Sequence, residues 1–166
     1  MRLVPLTALV VFALDQATKL GVVFGLDLIN RGAIDVWPPF LVFRMAWNTG
    51  INFGLLSGDA EVMRWVLIAV ALVISAWVWV WVRRDGGGRW MQIAAGILIG
   101  GALGNVVDRV AYGAVADFLN MSCCGIENPY AFNVADIAIF AGAIGLVLFG
   151  GTPAKPPPKA RPKKTQ

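Results

Sequence analysis

The chain has 166 residues, of which 58% are apolar and only 14% are charged, and its mean hydropathy is +0.69. Soluble domains have about 45–50% apolar and about 25% charged residues, so this composition excludes an ordinary soluble domain. The sequence contains no histidine, which excludes Ser-His-Asp and Cys-His catalysis and argues against a zinc site. We therefore expect a small polytopic membrane protein with one helical domain.

Four apolar blocks approach the roughly 20 residues that a helix needs to cross a bilayer. We expect one membrane domain at 1–151, with helices at about 3–25, 62–82, 90–108 and 131–150, an outer β segment at about 26–60, and a disordered, basic, Pro-rich cytoplasmic tail at 152–166. The first block could be a cleavable signal peptide, but it is long, carries Asp15 and Lys19, and lacks a small-x-small cleavage site. We interpret it as a retained first helix.

The basic residues predict the orientation of the chain in the membrane. Most of them fall at the N-terminus, in the second connection and in the tail: Arg2, Arg83, Arg84, Arg89, Lys155, Lys159, Arg161, Lys163 and Lys164. The positive-inside rule then places both termini in the cytoplasm, and residues 26–61 and 109–130 outside it. These cytoplasmic residues supply most of the net charge of +4, so anionic lipid explains that charge better than nucleic acid.

The first helix carries an acid and a base four residues apart, Asp15 and Lys19, which therefore share one face. A charge alone near the bilayer centre costs about 2.5–3.5 kcal/mol on insertion scales, so this face is expected to point into the bundle. Two interpretations stay open for the pair. It fixes the helix to its neighbours, or it has a direct functional role.

The segment after the first helix contains strand-forming residues at 40–47, a turn at Asn48-Thr49-Gly50 and a further apolar run at 51–56. This pattern predicts a small antiparallel sheet on the outer membrane surface. Asn48 has the residue type that turns prefer. Its expected position above the outer helix ends keeps a substrate-binding role open.

The third helix has a face of small residues at four-residue spacing: Gly96, Gly100 and Gly104. Such a face lets two helices approach closely. Directly beyond it, Asn105, Asp108 and Arg109 lie at i, i+3 and i+4 and share a face, which favours a hydrogen-bonded network.

Two further carboxylates follow, Asp117 in the third connection and Asp136 in the fourth helix, where Asn133 shares its face. The predicted topology brings these groups, Lys19 of the first helix and the polar residues of the third helix to one depth, near the outer leaflet. Ionisable residues inside a membrane indicate function by default. Without histidine, carboxylates are the obvious hydrolytic groups.

The adjacent Cys123 and Cys124 are predicted to lie outside the cytoplasm, where oxidation is possible. Neighbouring cysteines form a disulfide only with strain, so reduced or partner-bonded thiols remain an equal alternative.

Taken together, these motifs resemble the lipoprotein signal peptidases, also called signal peptidase II. The resemblance runs from Asp15 to Ile139 and rests on five motifs in the same order. They are D-x-x-T-K at Asp15–Lys19, N-x-G-x-x-F-G at Asn48–Gly54, G-N-x-x-D-R at Gly104–Arg109, V-x-D-F at Val115–Phe118 and F-N-x-A-D at Phe132–Asp136. Between the last two motifs, residues 121–131 lack the family's usual Trp-Pro approach.

The resemblance implies an all-α membrane fold of four transmembrane helices with a small extracytoplasmic β-cradle and a short outer helix. It implies an aspartic endopeptidase of the bacterial cytoplasmic membrane that cuts diacylglyceryl-modified prolipoproteins just before the lipidated cysteine. The catalytic pair maps onto Asp117 and Asp136. The supporting residues map onto Asp15, Lys19, Asn48, Gly50, Asn105, Asp108, Arg109, Asn133 and Ala135. No metal or organic cofactor is implied, the partners are prolipoproteins and membrane lipid, and we expect a monomer.

Three other functions are alternatives to a peptidase. A proton- or cation-coupled transporter would use the embedded charges as a relay. A Ser-Lys hydrolase would use Lys19 as base with Ser57 or Ser122 as nucleophile. A structural membrane scaffold would give no reason for acidic residues to cluster at one depth.

Overall fold

The computed structural model describes residues 1–50 and 60–151. The apolar run at 51–56, Ser57 and the tail at 152–166 lie outside the described residues. The elements are α1 (Leu3–Lys19), α2 (Leu28–Arg31), β1 (Ala33–Trp37), β2 (Leu41–Asn48), α3 (Ala60–Arg84), α4 (Arg89–Tyr112), β3 (Val115–Asn120) and α5 (Val134–Phe149). A π-helical segment, Leu20–Gly25, extends α1.

Three helices are long and apolar enough to cross a membrane: α1 with its extension to Gly25, α3 and α4. Their bounds agree with the sequence-based expectations to within a few residues. The last helix, α5, is apolar but has only 16 residues, about 24 Å at 1.5 Å per residue. The described chain is thus mostly helical, with three membrane-length helices and one shorter apolar helix.

The start of α5 differs from the expected start near Ala131. The helix begins at Val134 because Asn133 caps it: the Asn133 Oδ1 accepts a hydrogen bond from the Asp136 amide at 2.9 Å, and the Asp136 carboxylate accepts one from the Asn133 amide at 3.2 Å. This reciprocal capping box fixes the first turn. Asp136 therefore lies within the first turn of the helix.

Helix α4 packs against α1, α3 and α5. The expected close approach along its glycines is confirmed, and the partner is α1. A Cβ atom at Gly96 would lie 2.6 Å from the Val4 carbonyl oxygen, and one at Gly100 would lie 2.5 Å from that of Ala8. Any larger residue would separate the two helices.

The three strands form an antiparallel sheet in the order β1-β2-β3. Strand β2 matches the strand expected at 40–47. Strand β3 was not expected from the sequence pattern, and it carries Asp117, which lies opposite Ala46 of β2. An all-α description is therefore too simple, because the sheet positions one of the two candidate catalytic residues.

Two apolar clusters lie on either side of a polar layer. One, which includes Val4, Ala8 and Ile99, fills the bundle away from the sheet. The other lies under the sheet, where Phe43 and Phe118 meet edge to face with ring centroids 5.9 Å apart. The buried polar residues of α1 and α4 lie between these clusters and are shielded from water: Asp15, Lys19, Asn105 and Asp108.

Candidate active site

The centre of the polar layer is a group that we call the lysine cluster: Asp15, Gln16, Lys19 and Asp108. The Lys19 Nζ lies 2.8 Å from the Asp15 Oδ2 and 2.7 Å from the Asp108 Oδ2. These three side chains are 0–5% exposed. The expected burial of the Asp15–Lys19 pair is confirmed, and one ammonium serves two carboxylates on two helices.

Gln16 completes this cluster and was not anticipated from the sequence. Its Nε2 donates to the Asp15 Oδ2 and to the Asp108 Oδ1, each at 3.1 Å. It thus joins the same two carboxylates that Lys19 joins. A polar amide in an apolar helix was the signal that could have identified it.

The two carboxylates of the cluster also hold two backbone amides. The Asp15 Oδ1 accepts a hydrogen bond from the Ala135 N–H at 2.9 Å, and the Asp108 Oδ2 accepts one from the Ala116 N–H at 3.2 Å. These amides immediately precede Asp136 and Asp117. The lysine cluster therefore ties down the backbone next to each of these aspartates, and Ala135 takes part through its main chain.

We call Asp117 and Asp136 the aspartate pair, and Asn133 contacts both. The Asn133 Nδ2 donates to the Asp117 Oδ1 at 2.6 Å, while its backbone N–H donates to the Asp136 Oδ2 at 3.2 Å. The Asn105 Nδ2 donates to the Asp136 Oδ1 at 2.9 Å. Residues from β3, α4 and the start of α5 thus converge at one point.

Asn48 supplies the second amide to Asp117. Its Nδ2 donates to the Asp117 Oδ2 at 3.0 Å, and its Oδ1 accepts from the Gly50 N–H at 2.9 Å. Gly50 has a φ of +81°, a conformation that glycine adopts without steric cost. The Asn48–Gly50 turn therefore orients the Asn48 amide toward the carboxylate.

The Asp117 side chain is buried, and its pKa is raised from 3.8 to about 7. Burial is the largest cause and the negative charge of Asp136 is the second, while the amides of Asn48 and Asn133 and the charge of Lys19 lower the pKa by less. The described residues form no ion pair with either member of the aspartate pair. Because close carboxylates resist joint ionisation, such a pair retains a proton near neutral pH.

Arg109 lies beside the aspartate pair and forms no ion pair with the residues that the structure describes. Its Nη1 donates to the Asn105 carbonyl oxygen at 3.4 Å, and its charge interacts with those of Asp136 and Asp117. It lines a cavity of about 260 Å³ between α3, α4 and α5. This positive charge is thus available near the carboxylates to interact with a polar backbone.

Asp136 is partly exposed and borders an apolar groove of about 500 Å³ along α5, lined by Phe132, Ile137, Phe140, Ala141 and Ile144. One member of the aspartate pair is therefore accessible, and the other is buried behind it. An apolar chain could lie in this groove with its polar end at the carboxylate.

The geometry also bears on the alternative functions. The ammonium of Lys19 is committed to two carboxylates, and the Ser122 Oγ accepts a hydrogen bond from the Asn128 amide, so neither supports a Ser-Lys pair. Among buried polar side chains of the described residues, all except Ser75 lie at the sheet end of the bundle. That distribution gives a transporter no polar path.

The described residues contain no cluster of three metal-ligating acidic or cysteine side chains.

Comparisons with known proteins agree over most of the chain. The family model for signal peptidase (SPase) II matches residues 7–150. The lipoprotein signal peptidase of Methylorubrum extorquens (strain PA1) is 43% identical over 152 residues, covering 88% of this chain and 84% of the relative. That of Rhodopseudomonas palustris (strain TIE-1) is 38% identical over 166 residues, covering 94% and 98%.

Two solved structures, each described as a bacterial membrane enzyme, share the fold. One, at 1.9 Å resolution, has a TM-score of 0.73 and 29% identity, covering 86% of this chain and 88% of that one. The other, at 2.3 Å, has a TM-score of 0.69 and 30% identity, covering 86% and 84%.

Proposed function

This chain belongs to the signal peptidase II family of aspartic peptidases, and we propose that it removes the signal peptide from diacylglyceryl-modified prolipoproteins, cutting just before the lipidated cysteine. The observation that carries the proposal is the position of Asn133, which donates hydrogen bonds to Asp117 and Asp136 at once. A residue that contacts two carboxylates from neighbouring elements holds them close enough to act as a pair.

In the proposed reaction, the aspartate pair shares one proton and titrates as a unit. The ionised carboxylate takes a proton from a water molecule, whose oxygen attacks the scissile carbonyl. The protonated carboxyl polarises that carbonyl and then protonates the leaving amine. The raised pKa of Asp117 supports this division of labour, because it retains the shared proton near neutral pH.

The remaining site residues position the pair and the substrate. Asn48 and Asn105 each orient one carboxylate through a side-chain amide. The lysine cluster fixes the backbone before each aspartate through Asp15 and Asp108. Arg109, whose charge is not committed to an ion pair among the described residues, binds the substrate backbone.

For the membrane placement, we propose that α5 is the fourth crossing of the bacterial inner membrane within a peptidase domain at 1–151. Both termini and the tail at 152–166 then lie in the cytoplasm, and the site faces the outer leaflet. The apolar groove beside Asp136 supports this depth. The acyl chains of a lipidated substrate would stay in lipid while its peptide reaches the carboxylates. We further propose that one chain forms the complete site.

A gel-shift cleavage assay in liposomes tests the function. The wild type, Asp117→Asn and Asp136→Asn are offered a diacylglyceryl-modified prolipoprotein and an unlipidated version of it. We expect the wild type to cut only the lipidated substrate. Each Asn variant should lose about 10³-fold or more in rate, because one general acid–base group contributes about 10²–10⁴-fold and the pair works together.

Asp35→Asn is the matched control, because Asp35 is an exposed aspartate of the same sheet. It should cleave as the wild type does. Cleavage that survives in either variant of the aspartate pair would reject the two-aspartate mechanism. A folded wild type that cuts neither substrate would reject the proposed cleavage.

A further inference from the structure

Two adjacent thiols lie at the tip of the loop between β3 and α5. The Ile126 N–H donates to the Cys123 carbonyl oxygen at 2.9 Å, which closes a four-residue turn. Its two central residues, Cys124 and Gly125, have φ values of 59° and 80°, the positive signs that a type I′ turn requires. Both cysteines are exposed and free.

The two thiols belong to adjacent residues of this closed turn, and both are exposed. Hydrogen bonding with the neighbouring Cys124 side chain raises the pKa of the Cys123 thiol. A disulfide between them is nevertheless unfavourable. Adjacent Cα atoms are about 3.8 Å apart across a trans peptide, whereas disulfides usually need about 4.4–6.8 Å. The pair is therefore expected to remain a dithiol, with two adjacent and exposed thiols that one ligand can reach from solvent.

We propose that Cys123 and Cys124 form a bidentate site for a soft, thiophilic centre of low coordination number, of the class of trivalent arsenic. Thiolate sulfur selects soft centres. A structural zinc ion needs four ligands, and the described residues hold no cluster of three such side chains here or elsewhere. A singly substituted arsenic(III) has two exchangeable positions, which two thiols fill.

The binding step is a condensation without redox change. An organoarsenic oxide, R–As=O, reacts with the two thiols to give R–As(S–Cys)₂ and one water. Two As–S bonds form, the As–O bond and both S–H bonds break, and the two thiol protons leave with the oxygen as water. Arsenic stays trivalent, so no oxidant is required.

The base of the loop separates this site from the aspartate pair. The buried Asn120 Nδ2 donates to the carbonyl oxygens of Asn128 and Tyr130 at 2.7 and 2.9 Å. Phe132 and Leu119 exchange backbone hydrogen bonds at 3.0 and 2.8 Å. Because these contacts fix both ends of the loop, an occupant at the turn should leave the carboxylates in place. The inference is therefore independent of the proposed function.

The test is to titrate the purified full-length chain in detergent with phenylarsine oxide, followed by intact mass and thiol counting. We expect one phenylarsenic group per chain with the loss of both titratable thiols, reversed by a dithiol but not by a monothiol. Cys123→Ser and Cys124→Ser should each bind about 100-fold more weakly or worse, because linking two sites commonly adds 10²–10⁴ in affinity. Glu127→Gln, an exposed neighbour, should bind as the wild type does.

Three results would overturn the proposal. The first is the binding of two arsenic groups to independent thiols. The second is wild-type affinity in either serine variant. The third is an intramolecular disulfide in protein purified without reductant, since that would show that the backbone accommodates the bond which the turn disfavours.

Discussion

Two pairs of aspartates lie in neighbouring regions of this protein and differ in what surrounds them. Asp15 and Asp108 share the Lys19 ammonium, at 2.8 and 2.7 Å. Asp117 and Asp136 receive only neutral amide donors among the described residues, from Asn48, Asn105, Asn133 and the backbone. The first pair is neutralised by a cation in contact, whereas the second is not.

The difference shows how the same residue type acquires a structural or a chemical role. A buried carboxylate with a cation in contact is fixed in place, because separating the two charges would be costly. A carboxylate that has amide donors and a like charge nearby keeps its orientation, but its pKa rises, as the pKa of Asp117 does. A carboxylate that transfers protons must be held in position while it stays free to gain and lose a proton, and amide donors without a cation in contact allow both.

The two pairs are also coupled by geometry. Each carboxylate of the first pair accepts the backbone N–H that immediately precedes a member of the second pair, through Ala135 and Ala116. The ion-paired region thus sets the position of the region that we propose to be reactive. Changes in the first pair should appear as lost stability, and changes in the second as lost proton transfer.

The largest expected effect comes from removing the shared cation. Lys19→Met keeps the length of the side chain but leaves two buried carboxylates without a cation. The free energy of unfolding should fall by about 3–5 kcal/mol, the usual effect of breaking a buried pair. Unfolding in mixed micelles measures it, with the exposed Arg31→Met as the control for simple charge removal. Equal losses in the two variants would contradict the role of Lys19.

The second pair should make stability depend on pH in the opposite sense to an ordinary paired carboxylate. The folded pKa of Asp117, about 7, exceeds its usual 3.8, so the folded state binds more protons between these values. The free energy of unfolding should therefore fall by up to about 1.4 kcal/mol per pH unit as pH rises through this window. Above pH 7 the contribution should be constant.

Asp117→Asn provides the comparison, because its amide does not titrate. Subtracting the stability of this variant from that of the wild type at each pH isolates the contribution of Asp117. A difference that stays flat from pH 4 to pH 7 would refute the raised pKa.

The pH dependence of activity should report the same proton, the one that Asp117 and Asp136 share. If the aspartate pair works with one proton shared, kcat/KM should fall above about pH 7, approaching tenfold per pH unit as that proton is lost. A pH–rate profile with the lipidated substrate measures this alkaline limb. A rate that still rises at pH 8 would contradict a shared proton.

The smallest expected effect is at Gln16, which joins the carboxylates of the first pair opposite Lys19. Gln16→Leu should cost about 1–2 kcal/mol of stability, since hydrogen bonds to charged groups are lost while the ion pairs remain. Because Asp15 and Asp108 hold the amides before the aspartate pair, we also expect kcat to fall several-fold with KM unchanged. Kinetics on the lipidated substrate separate the two parameters.

Gln92→Leu is the matched control for this effect. Gln92 donates to the Gly87 carbonyl oxygen at 2.9 Å at the other end of the bundle, so its loss should reduce stability alone. A kcat that falls equally in both variants would show that Gln16 acts only through stability.

The local sequence determined the class of the protein and much of its polar layer. Hydropathy over 20-residue windows located α1, α3 and α4, because a membrane-length helix is a local property of composition. Four-residue spacing predicted that Asp15 meets Lys19 and that glycines bring α4 close to a neighbour, because i and i+4 share a face in any helix. The motifs around these residues carried the family resemblance.

Tertiary structure decided how these groups act together. Strand β3 forms by pairing with β2, about 70 residues away, so local periodicity could not reveal the position of Asp117. The cap at Asn133 moved the start of α5 and placed this residue against both members of the aspartate pair, with its side chain donating to Asp117 and its backbone N–H donating to Asp136. The amides of Ala116 and Ala135 take part through the backbone that every residue has, so side-chain identity does not encode those contacts.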